Sequence, residues 1–217
     1  MADIRWFGHA CVQIRSRDAT VMMDPVPRSL GYRFNKQRAD VVTISHDHPG
    51  HTATEVISTP FRLIDGPGEY EISEVFITGI RAYHDDQQGA ERGKNTIYLV
   101  EIDGVTICHL GDLGHELTDE QAQAIEIADV LLIPVGGGPV IDAAKASSVV
   151  GQLEPGVVIP IQYRTPMGDS DLGDVDRFLR EMAISDIEPV DRYTVRKTDV
   201  EDVGETTVVL LSCSASG

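Results

Sequence analysis

Three histidines fall within six residues in Ser45-His46-Asp47-His48-Pro49-Gly50-His51, directly after the apolar run Val41-Val42-Thr43-Ile44. Imidazole is the commonest metal-binding side chain, because a neutral ring offers a nitrogen lone pair to a cation near physiological pH. Unpaired imidazoles are costly to bury, and a surface cluster of this density has little purpose without a metal. The spacing therefore predicts a metal centre. Further polar residues lie just past apolar runs: His84, then His109 and Asp112, then Gln162 after Val157-Val158-Ile159-Pro160-Ile161. Side chains that recur at strand ends suit a cleft along one edge of a layered fold. Taken singly, His9 and His115 fit the ordinary role of a hydrogen-bonded structural imidazole.

The elements that must position these residues change character along the chain. Short apolar or alternating runs predict strands over Ile4–Phe7, Cys11–Ile14, Thr20–Met23 and Val41–Ser45. Thr52 followed by Glu55 has the form of a capping box and predicts a short helix over Thr52–Ser58. Strands are predicted over Val75–Ile80, Thr96–Ile102 and Val105–His109, the last two joined at Asp103-Gly104, a strong hairpin signal. Helices then alternate with buried strands: Leu117–Ile127, strand Val130–Val135, helix Asp142–Leu153, strand Val157–Ile161 and helix Asp174–Met182. Tyr193–Arg196 and Thr206–Leu211 are the expected closing strands. Hairpins first and strand–helix alternation later predict layers of sheet and helix in one α/β domain spanning 1–217.

The 217 residues are enough for a full core, and 41% hydrophobic with 24% charged content is ordinary for a globular chain. A net charge of −17 argues against general affinity for nucleic acid or anionic lipid, both of which would be repelled. Cys11, Cys108 and Cys213 are odd in number and far apart, which suits reduced thiols better than a disulfide framework. The first residues lack the apolar core of a signal peptide, and no run is long enough to cross a bilayer. A cytoplasmic location is expected.

Together these residues resemble the metallo-β-lactamase superfamily along nearly the whole chain. Arg5-Trp6-Phe7-Gly8-His9-Ala10-Cys11 is similar to the opening strand of its ascorbate-phosphate-lactonase-like branch. Asp24-Pro25 resembles the first motif, His46 to His51 the second, Tyr83-His84 the third and His109-Leu110-Gly111-Asp112 the fourth. Pro160-Ile161-Gln162-Tyr163 falls where the fifth motif usually has histidine in place of Gln162. The resemblance implies a four-layer αβ/βα sandwich with the metal site at the edge of two facing mixed sheets.

Carried over residue by residue, the resemblance implies a first metal site of His46, His48 and His84, with Asp112 shared between two metals. A second site would use His51, an aspartate at the position of Gly50 and a histidine at that of Gln162. Two of its ligands are thus missing. Three imidazoles and a carboxylate make a workable open zinc site, whereas His51, a shared carboxylate and the weaker amide oxygen of Gln162 make a poor one. One tightly held metal per chain is the expectation, zinc first, with manganese or iron as alternatives. Asp85 and Asp86 follow His84 and could substitute, but solvated or supporting roles suit such carboxylates better. Asp47 should point away from its histidine neighbours. His109 is expected to support the site, His9 to support it or face substrate. Gly136-Gly137-Gly138 reads as a plain strand-to-helix turn.

The implied activity is hydrolysis of an ester, lactone or related bond in a small molecule, using a water that the metal acidifies. Asp112 would ligate metal or take a proton, and His51 would orient water or protonate the leaving group. The alternative from a different class is a degenerate member that binds a ligand or partner without catalysis, since Gly50 and Gln162 fall on the same half-site. Homo-oligomerisation is compatible with the resemblance.

Overall fold

Runs rich in valine and isoleucine, some alternating and some buried at every position, build two sheets in the computed structural model, which describes residues 1–200 and 205–215. The strands are β1 (Ala2–Trp6), β2 (Val12–Arg15), β3 (Thr20–Met23), β4 (Val41–Thr43), β5 (Arg62–Ile64), β6 (Gly68–Ile72) and β7 (Val75–Tyr83). They continue with β8 (Lys94–Ile102), β9 (Val105–His109), β10 (Val130–Pro134), β11 (Val157–Ile161), β12 (Tyr193–Val195) and β13 (Thr207–Val208). One sheet has the order β12-β1-β2-β3-β4-β5, the other β13-β11-β10-β9-β8-β7-β6. Both mix parallel and antiparallel pairs, and β1, β3 and β4 share one direction, as do β7, β9, β10 and β11. This is the α/β sandwich that the sequence predicts.

Period-two alternation sends neighbouring side chains of a strand to opposite faces. Val21, Met23 and Val41 accordingly join the main core, while Met22 and Val42 join a second core with Phe7, Cys11, Val26, Tyr32 and Val56. That outer face of the first sheet is covered by irregular chain carrying Val26 and Tyr32 and by the 3-10 turn Thr54–Val56. The α-helices are α1 (Asp119–Ile125), α2 (Ala143–Leu153), α3 (Asp176–Glu181) and α4 (Lys197–Val200). Helix α1 packs on β7, and α2 packs on α1 and α3. Thr118 and Gln121 form the capping box of α1, and Asp142 caps α2 by accepting the Lys145 N–H. The buried face of α2 is Ala143, Ala146, Val149 and Val150, the spacing of one helical stripe.

Several expectations need correction. The helix predicted over Thr52–Ser58 is only the 3-10 turn Thr54–Val56, and the Thr52 hydroxyl donates to the His48 carbonyl instead of capping. Strands β5 and β6 lack a predicted counterpart; they are sheet edges with largely exposed side chains, so their hydrophobic pattern is weak. Thr206–Leu211 contributes only the two-residue β13. Asp103 and Gly104 both have positive φ, 50° and 77°, as the predicted tight hairpin requires. The three cysteines are free thiols, with Cys11 and Cys108 buried. Among the described residues no helix is long and apolar enough to cross a membrane.

Candidate metal centre

The functional side chains leave the sheets at one edge. His9 follows β1, Asp24 follows β3, and Ser45 and His46 follow β4; across the cleft, His84 follows β7, Asp112 follows β9 and Gln162 follows β11. Since these strands are parallel to one another within each sheet, their C-terminal ends converge. The two sheets are tied there by the Thr96 N–H to the Ser45 carbonyl (2.8 Å) and by the Tyr98 hydroxyl to the Ile44 carbonyl (3.0 Å). The chain turns sharply as it leaves the strands: His9, Asp24 and Gln162 have φ of 50°, 43° and 49°. Left-handed backbone at non-glycine residues costs about 1–3 kcal/mol each and persists where the surroundings over-determine it, as at functional sites.

Asp112 stands at the centre. Its backbone N–H donates to Asn95 Oδ1 (3.0 Å), while Asn95 Nδ2 donates to the Leu110 carbonyl (2.8 Å), which fixes the turn. One carboxylate oxygen, Oδ2, lies 2.9 Å from His84 Nε2 and 3.9 Å from His46 Nε2. The other, Oδ1, lies 3.2 Å from His51 Nε2 and accepts Gln162 Nε2 at 2.7 Å. Two sets of possible metal donors, each converging within 4.8 Å, therefore share this residue: His46, His84 and Asp112, and His9, His51 and Asp112. A third set is His46, His48 and His51. His48 is exposed and its Nδ1 accepts the Gly50 N–H (3.2 Å), so it converges with His46 and His51 rather than in one set with His84.

Hydrogen bonding selects the tautomers. Asp24, buried, accepts the Ser45 N–H and the Ser45 hydroxyl, both at 2.7 Å. With its one proton so used, Ser45 Oγ accepts from His46 Nδ1 at 3.0 Å, which leaves His46 Nε2 with a lone pair. That Nε2 is buried and has no hydrogen-bond partner. An orphaned buried acceptor beside a carboxylate and a second imidazole is what a cation site requires. Burial lowers His46 to about 4 and depresses His48 and His84, so these rings are neutral at pH 7.

His51 behaves oppositely. Burial opposes its charging, but the Asp112 and Asp24 carboxylates on either side push it up to about 10. Its Nδ1 lies 3.2 Å from Asp24 Oδ2 without hydrogen-bond alignment, so that contact is an ion pair rather than a bond. Burial alone would raise the carboxyls of Asp112 and Asp24; His51 holds both below the usual range, and His46 adds to the effect on Asp112. The centre thus presents carboxylates and free ring nitrogens around a positive charge.

His9 is drawn in from the far side. Its Nε2 is 3.1 Å from His51 Nε2, and its Nδ1 is 3.0 Å from Asp169 Oδ1. Asp169 Oδ2 accepts the Tyr32 hydroxyl at 2.6 Å, and that hydroxyl also meets Thr165 Oγ1 at 3.0 Å. Gly8, with φ of 97°, makes room for Tyr32: a Cβ there would lie 2.1 Å from the ring. None of Tyr32, Asn95 or Asp169 is singled out by the sequence, because Asp169 is 160 residues from His9 and no local pattern links them.

The remaining predicted residues divide clearly. Gln162 turns its amide NH2 to Asp112; the reverse orientation would set oxygen against oxygen, so the placement is fixed by chemistry, and Oε1 is left buried without a partner. Asp85 accepts the N–H groups of Gln87, Gly89, Glu91 and Arg92 at 2.7–3.0 Å, which lower its carboxyl to about 2 against the opposing effect of burial. Its lone pairs are spent on its own loop, and Asp86 and Asp47 are exposed. His109 lies against the Ala10 carbonyl through Nε2 (2.9 Å) and accepts the Gly111 N–H through Nδ1, a structural role. His115 accepts the Tyr83 N–H (3.2 Å).

A histidine- and aspartate-lined centre at one edge of two facing mixed sheets defines a class, and sequence comparison agrees: the chain belongs to the metallo-β-lactamase superfamily, with residues 3–162 matching the β-lactamase superfamily domain. A candidate Zn-dependent hydrolase of that superfamily from Thermotoga maritima is similar in structure, at TM-score 0.79 and 33% identity, covering 98% of this chain and 100% of its own. A UPF0173 metal-dependent hydrolase of Nitratidesulfovibrio vulgaris is 27% identical over 195 residues, 75% of this chain and 80% of its own. A metallo hydrolase of Ignicoccus hospitalis shares the fold at TM-score 0.68 and 20% identity, over 90% of this chain and 98% of its own.

Proposed function

We propose that the protein is a metal-dependent hydrolase of a small-molecule ester, lactone or related bond, with zinc as the metal and manganese or iron as alternatives. The observation that carries this is the buried, partnerless His46 Nε2 beside His84 and Asp112. The relatives named as metal-dependent hydrolases support the same class. His46, His84 and Asp112 would hold the cation, with His48 able to close in from the exposed side. When bound, such a cation acidifies a coordinated water towards neutral pH and polarises the scissile bond. Asp112 keeps its charge at neutral pH because the charged His51 stabilises it against burial, and so remains available as ligand or proton acceptor. His51 carries a proton between Asp112 and Asp24 and can pass it to a leaving group. Residues 1–217 would act here as the single domain expected from the sequence.

Metal analysis of purified protein tests this reading. The wild type should carry at least about one divalent cation per chain, and His46→Ala should lose it together with at least about 10²-fold of any ester or lactone turnover. Protein that stays metal-free in zinc-, manganese- and iron-supplemented buffer removes the proposal.

A further inference from the structure

We propose that His9 completes a second cation half-site with His51 and Asp112, taking the place of a carboxylate from position 50. The inference rests on the metal-dependent reading above and concerns the half of the centre that, by the count of Gly50 and Gln162 alone, lacks ligands.

Geometry supports it first. Two ligands about 2.05 Å from one tetrahedral zinc are about 3.3 Å apart. His9 Nε2 and His51 Nε2 are 3.1 Å apart, and His51 Nε2 is 3.2 Å from Asp112 Oδ1. The three donor atoms converge within 4.8 Å, and His51 and Asp112 are buried.

Proton placement supports it second. The Asp169 carboxylate only accepts hydrogen bonds, so His9 Nδ1 carries the ring proton and Nε2 presents a lone pair. On the other side, Asp24 lies against His51 Nδ1. A histidine whose far nitrogen meets a carboxylate is the arrangement that orients metal-binding imidazoles and raises their basicity. Both rings have it. Their Nε2 atoms and Asp112 Oδ1 face one point, at separations that a single cation would span. A divalent cation at that point would take His51 Nε2 as a ligand while Asp24 stays against Nδ1.

Gly50 supplies the third argument. A Cβ built on Gly50 would lie 3.2 Å from His9 Nε2 and 3.2 Å from His48 Nδ1. The direction in which a side chain at position 50 would extend is therefore the direction from which His9 reaches in. Glycine leaves that volume to the imidazole. Gln162 meanwhile holds Asp112 Oδ1 in place through its amide N–H.

Cation stoichiometry tests the proposal independently of turnover. Chelator-stripped full-length chain is titrated with Zn²⁺, and with Co²⁺ followed by its visible absorption. Wild type should take up about two cations per chain, the second more weakly, whereas His9→Ala should keep the first and weaken the second by at least about 10²-fold. Asp169→Asn, which leaves the imidazole in place, should weaken only the second, by about 10–100-fold. Gly50→Asp in the His9→Ala background should restore the second cation. Wild type that binds a single cation, His9→Ala that retains both, or an unchanged second affinity in Asp169→Asn overturns the His9 half-site. Wild type that binds no cation removes the functional reading of the whole centre as well.

Discussion

Asp112→Asn should produce the largest functional loss of any single substitution, on the order of 10³-fold or more in turnover, with cation binding weakened in parallel. The carboxylate touches both halves of the centre through different oxygens, at 2.9 Å from His84 and 3.2 Å from His51. Asparagine keeps the shape but brings a neutral amide, a poorer ligand that no longer offsets a buried positive charge. The stripped protein should feel the change too. Asp112 is the strongest attraction that keeps His51 charged, and removing one partner of a buried ion pair costs about 3–5 kcal/mol when the other stays charged. His51 can limit that cost by shedding its proton, so its pKa should fall from about 10, and the stability loss should stay within that bound. Titrating the His51 ring by NMR in stripped wild type and Asp112→Asn reads this directly. A variant that retains cation affinity and turnover would show that Asp112 is not at the centre of the chemistry.

Gly8→Ala should give the largest loss of stability for the smallest change in atoms, about 2–4 kcal/mol from backbone strain plus overlap. The position has a φ of 97°, and the added methyl would sit 2.1 Å from the Tyr32 ring, which is fully buried. Tyr32 cannot yield easily, because Gly31 and Gly168 bring its loop against the 165–169 turn, where a Cβ would meet backbone oxygens at 1.9 and 2.3 Å. Displacing Tyr32 also takes the hydroxyl from Asp169, the residue that orients His9. A double-mutant cycle separates the causes by thermal or denaturant unfolding. Cutting Tyr32 to alanine should remove most of the additional penalty of Gly8→Ala; an undiminished penalty would assign the effect to backbone strain alone.

How much of the fold and the centre is legible in the sequence depends on how local each signal is. Val130–Val135 and Val157–Ile161 are readable as strands because both faces are buried and nothing polar interrupts them. The edge strands β5 and β6 are not, since half-exposed residues such as Leu63 and Glu69 carry no clear period. Thr52 and Glu55 have the pattern of a capping box, but the chain there serves the outer core through Val56 and Ile57 and turns away after three residues. In the site, His46, His84 and Asp112 stand out because each follows an apolar strand. The contribution of His9 is hidden for a different reason. Its partners His51 and Asp169, and Tyr32 that holds Asp169, come from three separate loops, and only the closed sandwich brings them to one point. Counting ligands at Gly50 and Gln162 shows what those positions lack, not what another strand end delivers.

Trp6 gives the molecule an optical reporter. It is the sole tryptophan, it is buried, its indole N–H donates to the His9 carbonyl at 2.8 Å, and its ring lies 4.8 Å from that of Tyr163, the neighbour of Gln162. Indole emission responds to hydrogen bonding and to nearby charge. A cation drawn in beside His9 should therefore alter the fluorescence of the unlabelled chain, and paramagnetic cobalt should quench it. Loading of the centre can then be followed in real time with no chromogenic substrate, whatever bond the protein hydrolyses.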